Sequence, residues 1–104
     1  MKRLSIDLPR DRIAEFCRRW KVDEFALFGS ILRESFRPDS DIDVLVTFAP
    51  DADWSLLDHV QMEYELELVL SRKVDLVSRR AIEHSSNPIR RQAILESAET
   101  FYVA

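Results

Sequence analysis

Asp41 and Asp43 stand one residue apart in a stretch rich in branched apolar side chains, Asp41 to Phe48, which predicts a strand closed by Pro50. On a strand the two carboxylates point to one face, while Ile42, Val44 and Val46 turn to the core. Two like charges held side by side repel unless a cation lies between them, and a hard divalent ion such as Mg²⁺, shared with substrate phosphates, is the natural counter-charge. A solvated strand face is an even alternative. Asp75 interrupts a second apolar run, Val74-Asp75-Leu76-Val77, where a lone carboxylate is unexpected. If those two strands pair, three carboxylates converge. Gly29 is the only glycine in the chain and sits between the apolar run Phe25-Ala26-Leu27-Phe28 and a predicted short helix, Ile31 to Phe36. That place suits an unusual backbone conformation or close approach by a ligand. Ser30 would then open the helix, where free N–H groups favour a phosphate. Taken alone, a turn glycine with a serine cap is the simpler account.

The elements that must position these residues alternate along the chain. Pro9 suits a helix start, and Ile13, Phe16, Cys17 and Trp20 recur at helical spacing. Arg37-Pro38-Asp39-Ser40 has loop chemistry. Trp54 to Arg72 has a partly two-residue period, but its length and the face Trp54, Leu57, Val60, Tyr64 and Leu68 predict a helix. Lys73 to Ser78 predicts a strand. Asn87-Pro88 predicts the start of a last helix with Ile89, Ala93, Ile94 and Ala98 as its apolar stripe. The fold expected is α+β, one domain over residues 1–104: a small mixed sheet with the aspartates on one face and helices packed on the other.

Composition limits the partners. With 46% hydrophobic residues in 104, one compact core is the expectation. The net charge of −4 disfavours direct nucleic-acid binding. Cys17, the single cysteine, excludes an internal disulfide and is read as a buried apolar residue. The N-terminus breaks into charge before a signal-like run forms, and no segment approaches the roughly 20 apolar residues that span a bilayer, so a cytoplasmic location without membrane association is expected.

With Gly29-Ser30, Asp41-Ile42-Asp43 and a later strand aspartate, Asp75, the chain resembles the nucleotidyltransferase superfamily of DNA polymerase β type. Arg33, Pro38-Asp39-Ser40, Arg72-Lys73-Val74-Asp75-Leu76-Val77 and Ile89 to Ala98 resemble its minimal nucleotidyltransferase (MNT) branch, from about Glu24 onward. The resemblance implies that Gly29 and Ser30 hold the triphosphate; Arg33, one helical turn on, either leans over the phosphates or pairs at the surface with Glu34 or Asp39. It implies that Asp41 and Asp43 bind two Mg²⁺ ions and that Asp75, beside the metals, activates the acceptor hydroxyl. This is two-metal phosphoryl transfer. The chain departs from many relatives at Glu34 and Ser71, where they have glycine. The resemblance further implies an antitoxin paired with a HEPN-domain ribonuclease toxin, transferring AMP from ATP to a tyrosine of that partner. The acceptor is expected on a separate protein, because the chain has no room for an acceptor domain.

Two rivals stand beside that reading: an MNT antitoxin that binds nucleotide and metal but neutralises its partner by occlusion, and a generic acidic adaptor in which the aspartates are mere surface. Which NTP is used and whether the chain forms a homo-oligomer stay open. His59 and His84 lack partners at metal-ligand spacing and are assigned to surface or packing. Arg79-Arg80 and Arg90-Arg91 are solvated faces or a patch for an acidic partner or nucleotide. Trp20, Trp54, Phe101 and Tyr102 are expected to pack, although Phe101-Tyr102-Val103 becomes a partner anchor if it is exposed.

Overall fold

The structure, a computed structural model, describes residues 8–32 and 40–104. Helix α1 (Arg10–Arg19) buries Ile13, Phe16 and Cys17, the stripe its spacing predicts. Strand β1 (Val22–Phe28) follows and ends in a 3-10 turn over Gly29–Leu32. Strand β2 (Ile42–Phe48), helix α2 (Leu56–Leu70) and strand β3 (Val74–Ser78) come next. The chain then adds helix α3 (Arg79–Glu83), helix α4 (Pro88–Ser97) and strand β4 (Glu99–Val103). The sheet order is β3-β2-β1-β4. β1 runs antiparallel to β2 and β4, whereas β2 and β3 are parallel, which makes the sheet mixed as expected.

Alternation along the strands divides the core in two. Phe25, Leu27, Ile42, Val44 and Val46 face α1 and α2 and form the larger cluster. Ala26, Phe28 and Leu45 face the other way and are covered by Ile82 of α3 and Ile94 of α4. The expectation that helices pack on one face is therefore corrected. Leu45 shares a strand phase with Asp43, and an apolar residue in that phase must be covered from the aspartate side.

Helix α2 begins with a reciprocal cap: the Asp58 N–H donates to Ser55 Oγ at 3.2 Å, and Asp58 Oδ2 accepts from the Ser55 N–H at 2.9 Å. It ends at Ser71, whose φ of 56° is left-handed. Glycine adopts that conformation freely, and serine here carries the strain. The buried residues of α2 are Met62, Leu66 and Leu70. The predicted face is overturned, since Leu57, Val60, Tyr64 and Leu68 are exposed. Two carboxylates of α2 reach the outer edge of β3: Glu67 Oε2 accepts from the Val74 N–H and Glu63 Oε2 from the Leu76 N–H, each at 3.1 Å. Trp20 and Trp54 meet edge to face at 5.1 Å and pack, as expected.

Three further sequence expectations change. β1 starts at Val22 rather than Phe25, and α3 occupies a stretch for which the sequence predicts no element. In α4, Ile94 is buried but Ile89 is 81% exposed. Phe101 and Tyr102 pack against the larger cluster as expected, half-buried in the edge strand β4, with Arg10 stacked over the Phe101 ring at 4.3 Å.

Candidate active site

The 3-10 turn that ends β1 puts Gly29 beside the start of β2, because Phe28 and Asp43 are register partners across the antiparallel pair. Gly29 has φ of 75°, a conformation that side chains other than glycine's adopt at a cost. A second constraint is steric. A Cβ at Gly29 would collide with Oδ2 of Asp43, so the carboxylate lies directly against the glycine α-carbon. The only glycine in the chain thus answers two demands at once: a left-handed turn and room for an aspartate.

Asp75 reaches the same place from the other side. β2 and β3 pair in parallel with Asp43 opposite Asp75, which sets both side chains on one face of the sheet. Their neighbours Ile42 and Val74 are also partners, and both are buried on the opposite face. Asp41 is the exposed residue immediately before β2, where the Ile42 N–H donates to the Lys73 carbonyl at 2.9 Å and begins the ladder. Asp43 is half-buried and Asp75 exposed. Ser30 follows Gly29 in the turn over Gly29–Leu32. Arg33 and Glu34 fall outside the described residues.

The donors are hard oxygens, suited to a small divalent cation. The open α-carbon of Gly29 gives Asp43 its place in such a site. Among the described residues, no group of three His, Cys, Asp or Glu side chains converges tightly enough to hold a metal unaided. Mg²⁺ seldom needs such a cage, since one or two carboxylates complete its octahedron with water and phosphate oxygens. The residues fit a metal that arrives with a nucleotide.

A cavity of about 550 Å³ adjoins this corner, lined by Gly29, Leu32, Ile94, Ser97 and Glu99 among others. Its α4 wall escaped the sequence reading. The signal that could have found it is the apolar phase of Ala26 and Phe28, which needs a covering element next to Gly29. A second cavity of about 500 Å³ lies at the far end of β2, with His59, Arg79 and Arg80 on its wall. His84 Nδ1 is 2.8 Å from the Arg80 carbonyl at the end of α3, Arg79 lies 3.9 Å from Glu83, and Arg91 donates to the Ser85 carbonyl at 2.9 Å. These contacts are structural. Cys17 is no nucleophile either: burial pushes its thiol up to about 12, which keeps it neutral.

Residues 10–99 match the family model described as nucleotidyltransferase domain. A candidate protein adenylyltransferase of Methanocaldococcus jannaschii is 34% identical over 95 residues, covering 91% of this chain and 96% of its own. A candidate minimal nucleotidyltransferase of known structure superposes with a TM-score of 0.67 at 34% identity, over 88% of each chain. The complex of a tri-AMPylated Shewanella oneidensis HEPN toxin with its MNT antitoxin superposes with a TM-score of 0.64 at 22% identity, over 91% of this chain and 70% of that one. At that identity the likeness is one of fold. The generic adaptor reading falls with the family match.

Proposed function

The chain belongs to the nucleotidyltransferase domain family and is a minimal nucleotidyltransferase, and from that premise we propose that it transfers AMP from ATP to a hydroxyl of a partner protein. The partner we propose is a HEPN-type toxin, which the transfer neutralises; the relative seen with such a toxin is the MNT antitoxin of Shewanella oneidensis. The observation that carries the reading is the corner where Asp43 lies against Gly29 and opposite Asp75.

Each residue has a task there. The backbone of Gly29 and Ser30 receives the β- and γ-phosphates, where free N–H groups of a turn offset their charge. Asp41, Asp43 and Asp75 would hold two Mg²⁺ ions. When bound, the ions offset charge on the attacking and leaving oxygens. The acceptor oxygen forms a bond to the α-phosphorus, the bond to the β-phosphate oxygen breaks, and pyrophosphate departs. Asp75 takes the hydroxyl proton. Its exposure suits this role, since the hydroxyl belongs to a second macromolecule and must reach the base from outside. Docking of the partner supplies proximity and orientation. The setting we propose is the cytoplasm, and no described helix is long and apolar enough to cross a membrane.

The test is mass spectrometry of the partner co-expressed with wild-type or Asp75→Asn chain. The wild type should leave an adduct of AMP, and Asp75→Asn should bind Mg²⁺·ATP and partner yet leave none. Equal adduct in both refutes the role of Asp75. One alternative is an antitoxin that binds nucleotide and metal and occludes its partner without transfer. That alternative predicts no adduct with either chain.

A further inference from the structure

Helix α2 is apolar on two opposed sides, and only one of them is covered. Met62, Leu66 and Leu70 face the sheet at 1%, 0% and 7% exposure. At about 100° per residue, Leu57, Val60, Tyr64 and Leu68 form a stripe on the opposite side. They are 81%, 57%, 52% and 62% exposed. Among the described residues, five of the seven large apolar side chains left exposed are on this helix, Leu56 being the fifth. Scattered exposed leucines need no explanation, but a continuous stripe on one helix marks an interaction surface.

The charges beside the stripe define its occupant. Helix α2 contains no lysine or arginine. Asp58 and Glu65 flank the stripe on one side and Glu63 and Glu67 on the other, from the same helical geometry. Glu65 is tied to Arg19 at 2.6 Å, while Glu63 and Glu67 accept backbone N–H groups, which leaves their charge in place. A second copy of α2 laid antiparallel with Leu57 level with Leu68 would bring like flanks together, Glu63 beside Glu63 of the other copy and Asp58 beside its Glu65, carboxylate near carboxylate. That pairing is disfavoured. We propose that the outer stripe of α2 docks an apolar helical face of the partner protein whose flanks carry lysine or arginine. This rests on the partner-directed reading above and adds where the partner is held. The stripe lies on the layer opposite Asp43, so a docked helix leaves the aspartate corner open.

Two stapled helical peptides with one leucine face, one flanked by arginine and the other by glutamate, test the proposal by fluorescence anisotropy. The wild-type chain should bind the arginine-flanked peptide at least about tenfold more tightly, and Tyr64→Glu or Val60→Ser should weaken that binding by roughly tenfold. Equal binding of both peptides, binding of neither, or unchanged binding by both variants overturns it. Sedimentation velocity adds an independent arm, in which the chain should stay monomeric. A dimer abolished by Tyr64→Glu would assign the stripe to a second copy and overturn the proposal. Thermal shift with Mg²⁺·ATP separates docking from chemistry: Tyr64→Glu should keep the shift, and Asp43→Asn should lose it while still binding the peptide. If wild type shows no shift but discriminates the peptides, the transfer reading fails and the docking face stands.

Discussion

On one face of the sheet, α1 and α2 close over Phe25, Leu27, Ile42, Val44 and Val46, none of them more than 2% exposed. On the other face, Ile82 and Ile94 cover Ala26, Phe28 and Leu45, and the aspartates at the head of β2 and β3 stay at least partly open. The same strands serve both faces. Alternation lets Ile42 and Val44 hold the fold while Asp43, between them, is available to chemistry. Stability and site are thus separated by the thickness of one sheet rather than by distance along the chain.

Substitution on the closed face should have the largest effect on stability. Leu66→Ala removes a fully buried side chain between α2 and the sheet and should cost about 3 kcal/mol, read from urea denaturation. A cost under about 1 kcal/mol would show that this face is not the main support. Gly29→Ala is intermediate and strikes both properties at once. It should cost about 1–3 kcal/mol, from the positive φ and the displaced Asp43 carboxylate, and should also lose Mg²⁺·ATP binding by calorimetry. Retained nucleotide binding would detach the glycine from the site. The smallest stability effect belongs to Asp43→Asn, which should stay within about 0.5 kcal/mol of wild type or gain slightly, since it removes a charge near Asp75. A large loss in thermal denaturation without metal would make Asp43 a structural residue.

The corner was legible in the sequence because its signals are discrete. A unique glycine, an aspartate pair with its own strand phase and an aspartate inside an apolar strand each break a local rule, and register brings Asp43 and Asp75 to one face. The face of α2 was not legible. Met62, Leu66 and Leu70 and the set Leu57, Val60, Tyr64 and Leu68 are equally apolar and equally periodic, and periodicity cannot say which set meets the sheet. The two-residue period of Glu63, Glu65 and Glu67 also had a tertiary cause: Glu63 and Glu67 serve β3, while Glu65 receives Arg19 and the Trp20 indole. α3 was hidden by its five-residue length, and β4 by the polar Glu99-Thr100 at its start. Both become necessary only once β1 needs a neighbour and Leu45 a cover.

Those same glutamates bear on how the protein behaves in a crowd of its own kind. β3 is an outermost strand, and its outward N–H groups at Val74 and Leu76 would otherwise offer a template for an incoming strand from another molecule. With Glu67 and Glu63 already bound to them, that border is occupied by negatively charged side chains, and a stranger's backbone would have to displace two ionised carboxylates to pair there. Runaway edge-to-edge strand pairing, a route toward fibres, is therefore blocked along β3, the strand that carries Asp75.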